Sequence, residues 1–563
     1  MPSLPSLRRA LLLTVCLLSA CAAADPGMTS GGNGSDRRPL GAFSAYLTGR
    51  LALSSADYER AVDALLTALA ANPGNVDLRH QTFTAALIAG RPEAGDLALG
   101  IPENPIAQLL LGSIDAKAGR WRMAERRFND LPHQGPMQII QPILIAWARQ
   151  GDGRTDDALL ALRSAMESQS TRGLLPLHAA MVADIGNRRR DADHFYQLTA
   201  SDPSGMNVRL AYILASWHAR TDRADVAQRL LMQIQQAVPD AAILLPGVGP
   251  ALAARPVDNP TDGIAEVFLA LGSSLRSANT NDLALMILGL ALELRPSFSA
   301  VRLAMSDIHL SRQHTEAALA ILAAVPDRDT LAPLVRLRRA SLQDRMGRTD
   351  EAIETLRQLA RDIPTSGVPD RHLGDIYRSK SNFRDAITAY DQAIARIPTV
   401  TAADWIVFYH RGVALERDGQ WERAEADFEH SLRLAPDQPY ALNYLAYSWT
   451  ERGQNLERAK SMLEKALRAR PNDGAITDSL GWVMFRMGNM TEAVRLLERA
   501  IELEPDDPTI NSHLGDVYWA IGRRIEALYQ WRRALTLDPP PQEAAQLAEK
   551  IRPDYAGPVQ AGN

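Results

Sequence analysis

Residue types able to do covalent or metal chemistry are present but scattered. The 11 histidines lack the spacing of a metal site. His410 stands beside Arg411 with no second ligand-type residue near it. No Walker-type loop, HExxH pair, nucleophile elbow or CxxC occurs. The paired acids Asp506 and Asp507 precede an apolar periodic segment, where they predict a turn and a helix cap. Neither a catalytic residue nor a metal or cofactor is therefore assigned. What the chain does concentrate is aromatic chemistry: of its 9 tryptophans, Trp405, Trp421, Trp449, Trp482, Trp519 and Trp531 all lie after residue 400. Aromatic and arginine side chains bury large area at modest entropic cost, which is what a binding hot spot needs.

The elements that must position them follow a fixed period. Leu480 and Gly481, followed by Met484, Ala493, Leu497, Ala500 and Pro505, are answered by Leu514, Gly515, Tyr518, Ala527, Trp531, Ala534 and Pro539. Each half of such a unit has an apolar face with helical spacing. Gly515 and Ala527 are small because closely crossing helices, about 8–10 Å apart, leave no room there. Pro539 stops the second helix. These intervals resemble the tetratricopeptide repeat, a helix, a turn and a second helix.

The same frame extends through most of the 563 residues. Gly49, Ala61 and Leu65 open it; Gly112, Ala146, Ala180 and Ala215 carry it on, with a degenerate unit near 77–100. Between Pro239 and Gly263 four prolines break it, so 241–263 is expected to be a Pro-rich interruption, a linker or a binding loop. Gly272, Ser306, Ala340, Gly374, Gly412 and Ala446 then lead to the closing pair. The expected fold is all-α, a superhelical solenoid of about 12–14 hairpins in two blocks, 43–240 and 264–540. A capping helix and disordered tail are expected over 541–563.

The N-terminus adds an address. Arg8 and Arg9 precede an apolar run, Ala10 to Leu18, too short to span a bilayer. Leu18-Ser19-Ala20-Cys21 resembles the lipobox of bacterial lipoproteins, which implies a signal peptide over 1–20 and a lipidated Cys21. Residues 21–42 read as a flexible tether, of root-mean-square span roughly 25 Å. Ala22 is not the aspartate that retains some lipoproteins in the inner membrane, so the resemblance implies the outer membrane, facing the periplasm. With 61 basic and 66 acidic residues and net charge −5, there is no basic footprint for nucleic acid.

In the tetratricopeptide fold the first helix of each hairpin lines the concave surface. Projected onto this chain, the pattern turns Arg371, Asp375, Arg378, Tyr409, Tyr440, Asn443 and Tyr447 inward. It does the same for Asp478, Trp482, Phe485, Arg486, Asp516 and Trp519. The clamp of lysines, asparagines and an arginine that grips a terminal carboxylate in part of the family does not map here. The words Asn443-Tyr444-Leu445-Ala446-Tyr447, Asp478-Ser479-Leu480-Gly481-Trp482 and His513-Leu514-Gly515-Asp516, taken with the lipobox, resemble bacterial outer-membrane tetratricopeptide lipoproteins. That resemblance implies a non-enzymatic scaffold for protein or peptide partners. In one branch of the group it is an adaptor that brings cell-wall hydrolases to a periplasmic carboxyl-terminal processing protease. The same fold also serves as an assembly factor for secreted polysaccharide, pili or outer-membrane proteins, and as a regulatory subunit of enzymes.

Overall fold

The computed structural model describes residues 41–168, 174–201, 207–275, 280–397 and 399–552. The segments expected as signal peptide and tether up to residue 40, Cys21 among them, and the expected tail from 553 lie outside the described residues. All regular structure described is helical, thirty α-helices and two 3-10 turns. Six antiparallel hairpins run from Ala42–Ser54 with Tyr58–Ala71 to Val208–Arg220 with Ala224–Ala237. Eight more run from Pro260–Ser274 with Asn281–Leu294 to Pro508–Ala520 with Arg524–Leu535. A last helix, Pro541–Lys550, follows them.

One steric rule builds most hairpins. A Cβ at Gly112 would lie 2.4 Å from the Phe128 ring, one at Gly374 2.5 Å from Tyr390, and one at Gly515 2.5 Å from Trp531. Each large residue follows its glycine by the same interval, so the ring of the second helix fills the notch in the first. Elsewhere the pair varies: Gly49, Gly272 and Gly481 meet Leu65, Leu288 and Leu497, while Ala146 and Ser306 stand at the same interval before the fully buried Leu162 and Leu322, and Ala180 before the buried Tyr196 ring. The turn between the helices repeats as well: Gly488 and Gly522 have φ of 85° and 87°, a left-handed conformation that closes the first helix. Behind it, Asn489 N–H and Arg523 N–H each donate 2.9 Å to the carbonyls of Met484 and Tyr518. Asp507 accepts from Ile510 N–H at 2.9 Å, the cap that its sequence position predicts.

The expected division into two blocks at 241–263 is not where the core divides. One apolar core runs from Ala45 to Ile308, straight past that interval. The interval itself holds a 3-10 turn, Pro239–Leu244, and a short helix, Leu245–Leu252. The helix that follows packs back onto the first block, with Gly263 against the Trp147 ring, 2.4 Å from where a Cβ would stand. In the next helix Gly289 lies under the Leu87 carbonyl, 2.7 Å from a Cβ position, and Glu293 pairs with Lys117 at 2.9 Å. Periodicity reports contacts between consecutive hairpins. These contacts join hairpins far apart in sequence, so the frame carried no sign of them.

A second large core, from Ala386 to Leu547, holds the C-terminal hairpins together, with smaller clusters between the two. Among the described residues no helix is long and apolar enough to cross a membrane.

Candidate inner-face interaction site

The residues projected onto the inner face gather into three groups. In the first, Asp375 is the hub. Tyr390 Oη donates to it at 2.8 Å, His410 Nδ1 stands 2.6 Å away, and Arg371 and Arg378 approach within 3.6 and 3.7 Å. Burial would raise the Asp375 pKa, but His410 and the neighbouring cations outweigh it and hold the carboxyl well below its usual range. Arg371 also binds Asp240 of the 3-10 turn; burial would raise the Asp240 pKa, but His372, 3.1 Å away, and Arg371 lower it to about 2. Both arginines are thus engaged within the protein. Arg371 ties the Pro-rich interval to the helix Val368–Ser379, which a free partner-binding guanidinium would not do.

The second group spans three consecutive hairpins. Tyr409 packs edge-on against Tyr444, with ring centroids 6.0 Å apart. Tyr447 approaches the His513 ring, and its hydroxyl pKa is raised, chiefly by burial. Asp478 and Trp482, only 4% and 9% exposed, are held between hairpins rather than presented to solvent. Trp482 lies against His513 and Phe485, and its indole N–H donates to Glu451. These two are corrected from groove contacts to interface residues. A ring wide enough to reach the next hairpin gains more by packing there than by facing water. Tyr440, 43% exposed with Arg470 over its ring at 4.8 Å, and the exposed Arg486 stay accessible. Half-buried Asn443 keeps its side-chain oxygen without a protein hydrogen bond.

The third group is at the C-terminal end. Asp516 accepts from the Trp531 indole at 2.9 Å and pairs with Lys550 at 2.7 Å. Trp519 packs on Trp531, with Arg524 stacked 3.7 Å from the Trp519 centroid. The helix Pro541–Lys550 was expected as an end cap. It buries Leu547, and its Lys550 reaches Asp516 and the Trp531 ring of the last hairpin. It therefore covers Asp516, at the end of the surface that the sequence assigned to partners. Among the described residues no group of three or more His, Cys, Asp or Glu could hold a metal.

His513, Glu451 and Lys550 are the residues of this surface that the sequence reading missed. His513 follows Asp478 by one residue more than the repeat period, which places the two opposite each other across a hairpin interface.

The repeated glycine-to-ring notch, the left-handed turn and the antiparallel pairs together decide the architecture. The fold is a tetratricopeptide-type helical solenoid. Residues 327–550 match the family model of the cilia and flagella-associated protein 70 C-terminal domain. A TPR repeat-containing protein of Pseudomonas aeruginosa is 26% identical over 159 residues. That match takes in 28% of this chain and spans about a quarter (26%) of the relative's length. Among solved structures, the Cut9–Hcn1 hetero-tetramer of the APC/C is similar at TM-score 0.40 and 16% identity, over 90% of this chain and 96% of that one. A tetratricopeptide repeat protein from Parabacteroides merdae gives TM-score 0.36 and 16% identity, over 44% of this chain and 95% of its own.

Proposed function

We propose that this protein is a non-enzymatic adaptor, held by lipid on Cys21 at the periplasmic face of the outer membrane. Its C-terminal hairpins gather protein clients there, with a periplasmic protease and its cell-wall hydrolase substrates as the partners. The observation that carries the reading is the run of aromatic, arginine and acidic side chains on successive first helices, with Tyr440 and Arg486 open to a partner. Anchoring rests on the lipobox and on the basic flank of the preceding apolar run. A tethered scaffold works by raising the effective concentration of a client near its partner. The test is affinity capture from detergent-solubilised envelope. Wild-type chain should retain a protease and a hydrolase, and the Tyr440→Ala/Arg486→Ala variant should lose them. Retention of both proteins by the variant, or capture of neither by wild type, rejects the adaptor reading. Cys21→Ala should move the protein to the soluble periplasmic fraction, and a mutant still membrane-bound after a high-salt wash refutes the anchor.

A further inference from the structure

The first helix described, Ala42–Ser54, is apolar on two opposite faces. Ala45, Gly49 and Ala52 are buried, with Gly49 against Leu65 of the second helix. Phe43, Leu47 and Leu51, each one turn from the next, form the opposite face and are 74%, 49% and 71% exposed. Apolar side chains scattered singly over a surface need no explanation, but an aligned stripe does. Counted from the notch glycine, Leu47 and Leu51 stand where His513 and Val517 stand in the last hairpin. There both are buried, and His513 lies against Asp478 and Trp482 of the hairpin before. The first hairpin has no predecessor among the described residues, so the face that elsewhere seats a neighbour is open. Stacked repeats require a polar outer face at their ends, and this end is apolar.

Three kinds of cover compete for the stripe. The chain leading into it brings little: between Ala22 and Leu40 the large aliphatic side chains are Met28 and Leu40 themselves. A second copy would gain too little as well. Three side chains fall well short of the roughly 800 Å² per partner that a stable interface buries. A lipid surface has no such threshold, because each apolar side chain that enters the acyl boundary adds its own increment.

Charge favours the lipid. Arg37, Arg38 and Arg50 are the charged residues between Asp36 and Asp57, a cationic stretch in a chain of net charge −5. Arg50 is exposed beside the stripe, bonded to the neutral Gln81 at 3.3 Å and in no ion pair among the described residues. The acids Glu59 and Asp63 of the next helix are both engaged by Arg91, at 3.0 and 3.1 Å. An apolar helix face flanked by arginines is the pattern that lies in the plane of an anionic membrane interface.

We propose that the Phe43–Leu47–Leu51 face docks on an anionic lipid surface, with Arg50 toward the headgroups, so that the first hairpin is seated on the membrane. The proposal rests on the Cys21 anchor only for bringing this helix to a bilayer; the docking itself belongs to the helix.

The test uses the full mature chain from Ala22 onward, made without lipid, so that failure of the anchor reading leaves the result untouched. The probes are vesicles of phosphatidylethanolamine with phosphatidylglycerol, and vesicles of phosphatidylcholine alone, followed by flotation. Wild type should float with the anionic vesicles, and more weakly with phosphatidylcholine. Phe43→Ser with Leu51→Ser should weaken binding about tenfold or more at an unchanged melting temperature, both positions being exposed. Arg37→Gln, Arg38→Gln and Arg50→Gln together should erase the preference for the anionic vesicles. An environment-sensitive dye on Leu47→Cys, the sole cysteine in this chain, should shift to the blue on binding. No flotation, equal binding of wild type to both kinds of vesicle, or undiminished flotation of the double serine variant overturns the proposal. A wild-type dimer that the double serine variant dissociates, without flotation, assigns the face to a second copy and overturns it as well.

Discussion

Trp482 and His513 lie face to face, their ring centroids 4.1 Å apart and their planes 12° from parallel, across the boundary between the last two hairpins. Below the stack the Asp478 carboxylate reaches His513 Nδ1 at 2.9 Å. Burial alone would lower the His513 pKa, but the adjacent Asp478 charge and hydrogen bond prevail and raise it above its ordinary 6.5.

That shift sets a pH dependence. The folded state holds the His513 proton more tightly than the unfolded chain does. The stabilisation is therefore complete below about pH 6.5 and is lost as pH rises through the higher folded-state pKa. Thermal melts across this window should show the C-terminal hairpins weakening toward alkaline pH. His513→Gln should flatten that part of the profile; an unchanged slope would separate it from His513.

Trp482 belongs to the packing and Tyr440 to the surface, so the two truncations should differ in kind. Trp482→Ala should lower stability by about 3–5 kcal/mol through the cavity it leaves. Tyr440→Ala with Arg486→Ala should leave the melting temperature within experimental scatter while weakening partner capture. Calorimetry on both variants beside a capture assay separates the effects.

The notch rule is open to direct test. Gly515→Leu forces a side chain into Trp531, and should cost roughly 1–3 kcal/mol or more. Stability in stacked repeats comes from neighbouring interfaces, so faster amide exchange should appear first in the adjoining hairpins and last in residues 43–240. Uniform acceleration along the chain would contradict this.

The C-terminal helix competes for the inner face. Lys550→Glu sets two carboxylates together at Asp516, and Leu547→Asp buries a charge, so either substitution should release the helix. Partner capture through Tyr440 and Arg486 should then strengthen several-fold. Equal or weaker capture by the released variants would show that the helix forms part of the docking surface instead of covering it.

By itself the sequence determined the repeat. A glycine answered by a ring, a left-handed turn and a terminating proline act between residues close in the chain, and each such contact recurs with the period. Fourteen hairpins, the cap at Asp507 and the core role of Trp531 were all legible from that spacing. What only the tertiary structure decided is where distant hairpins meet. The seating of Gly263 on Trp147 and of Gly289 on Leu87 joins what looked like two blocks. The salt bridge from Arg371 to Asp240, the Trp482–His513 stack and the path of the last helix likewise depend on superhelical curvature. Curvature sums small rotations at every interface, and no single repeat encodes that sum.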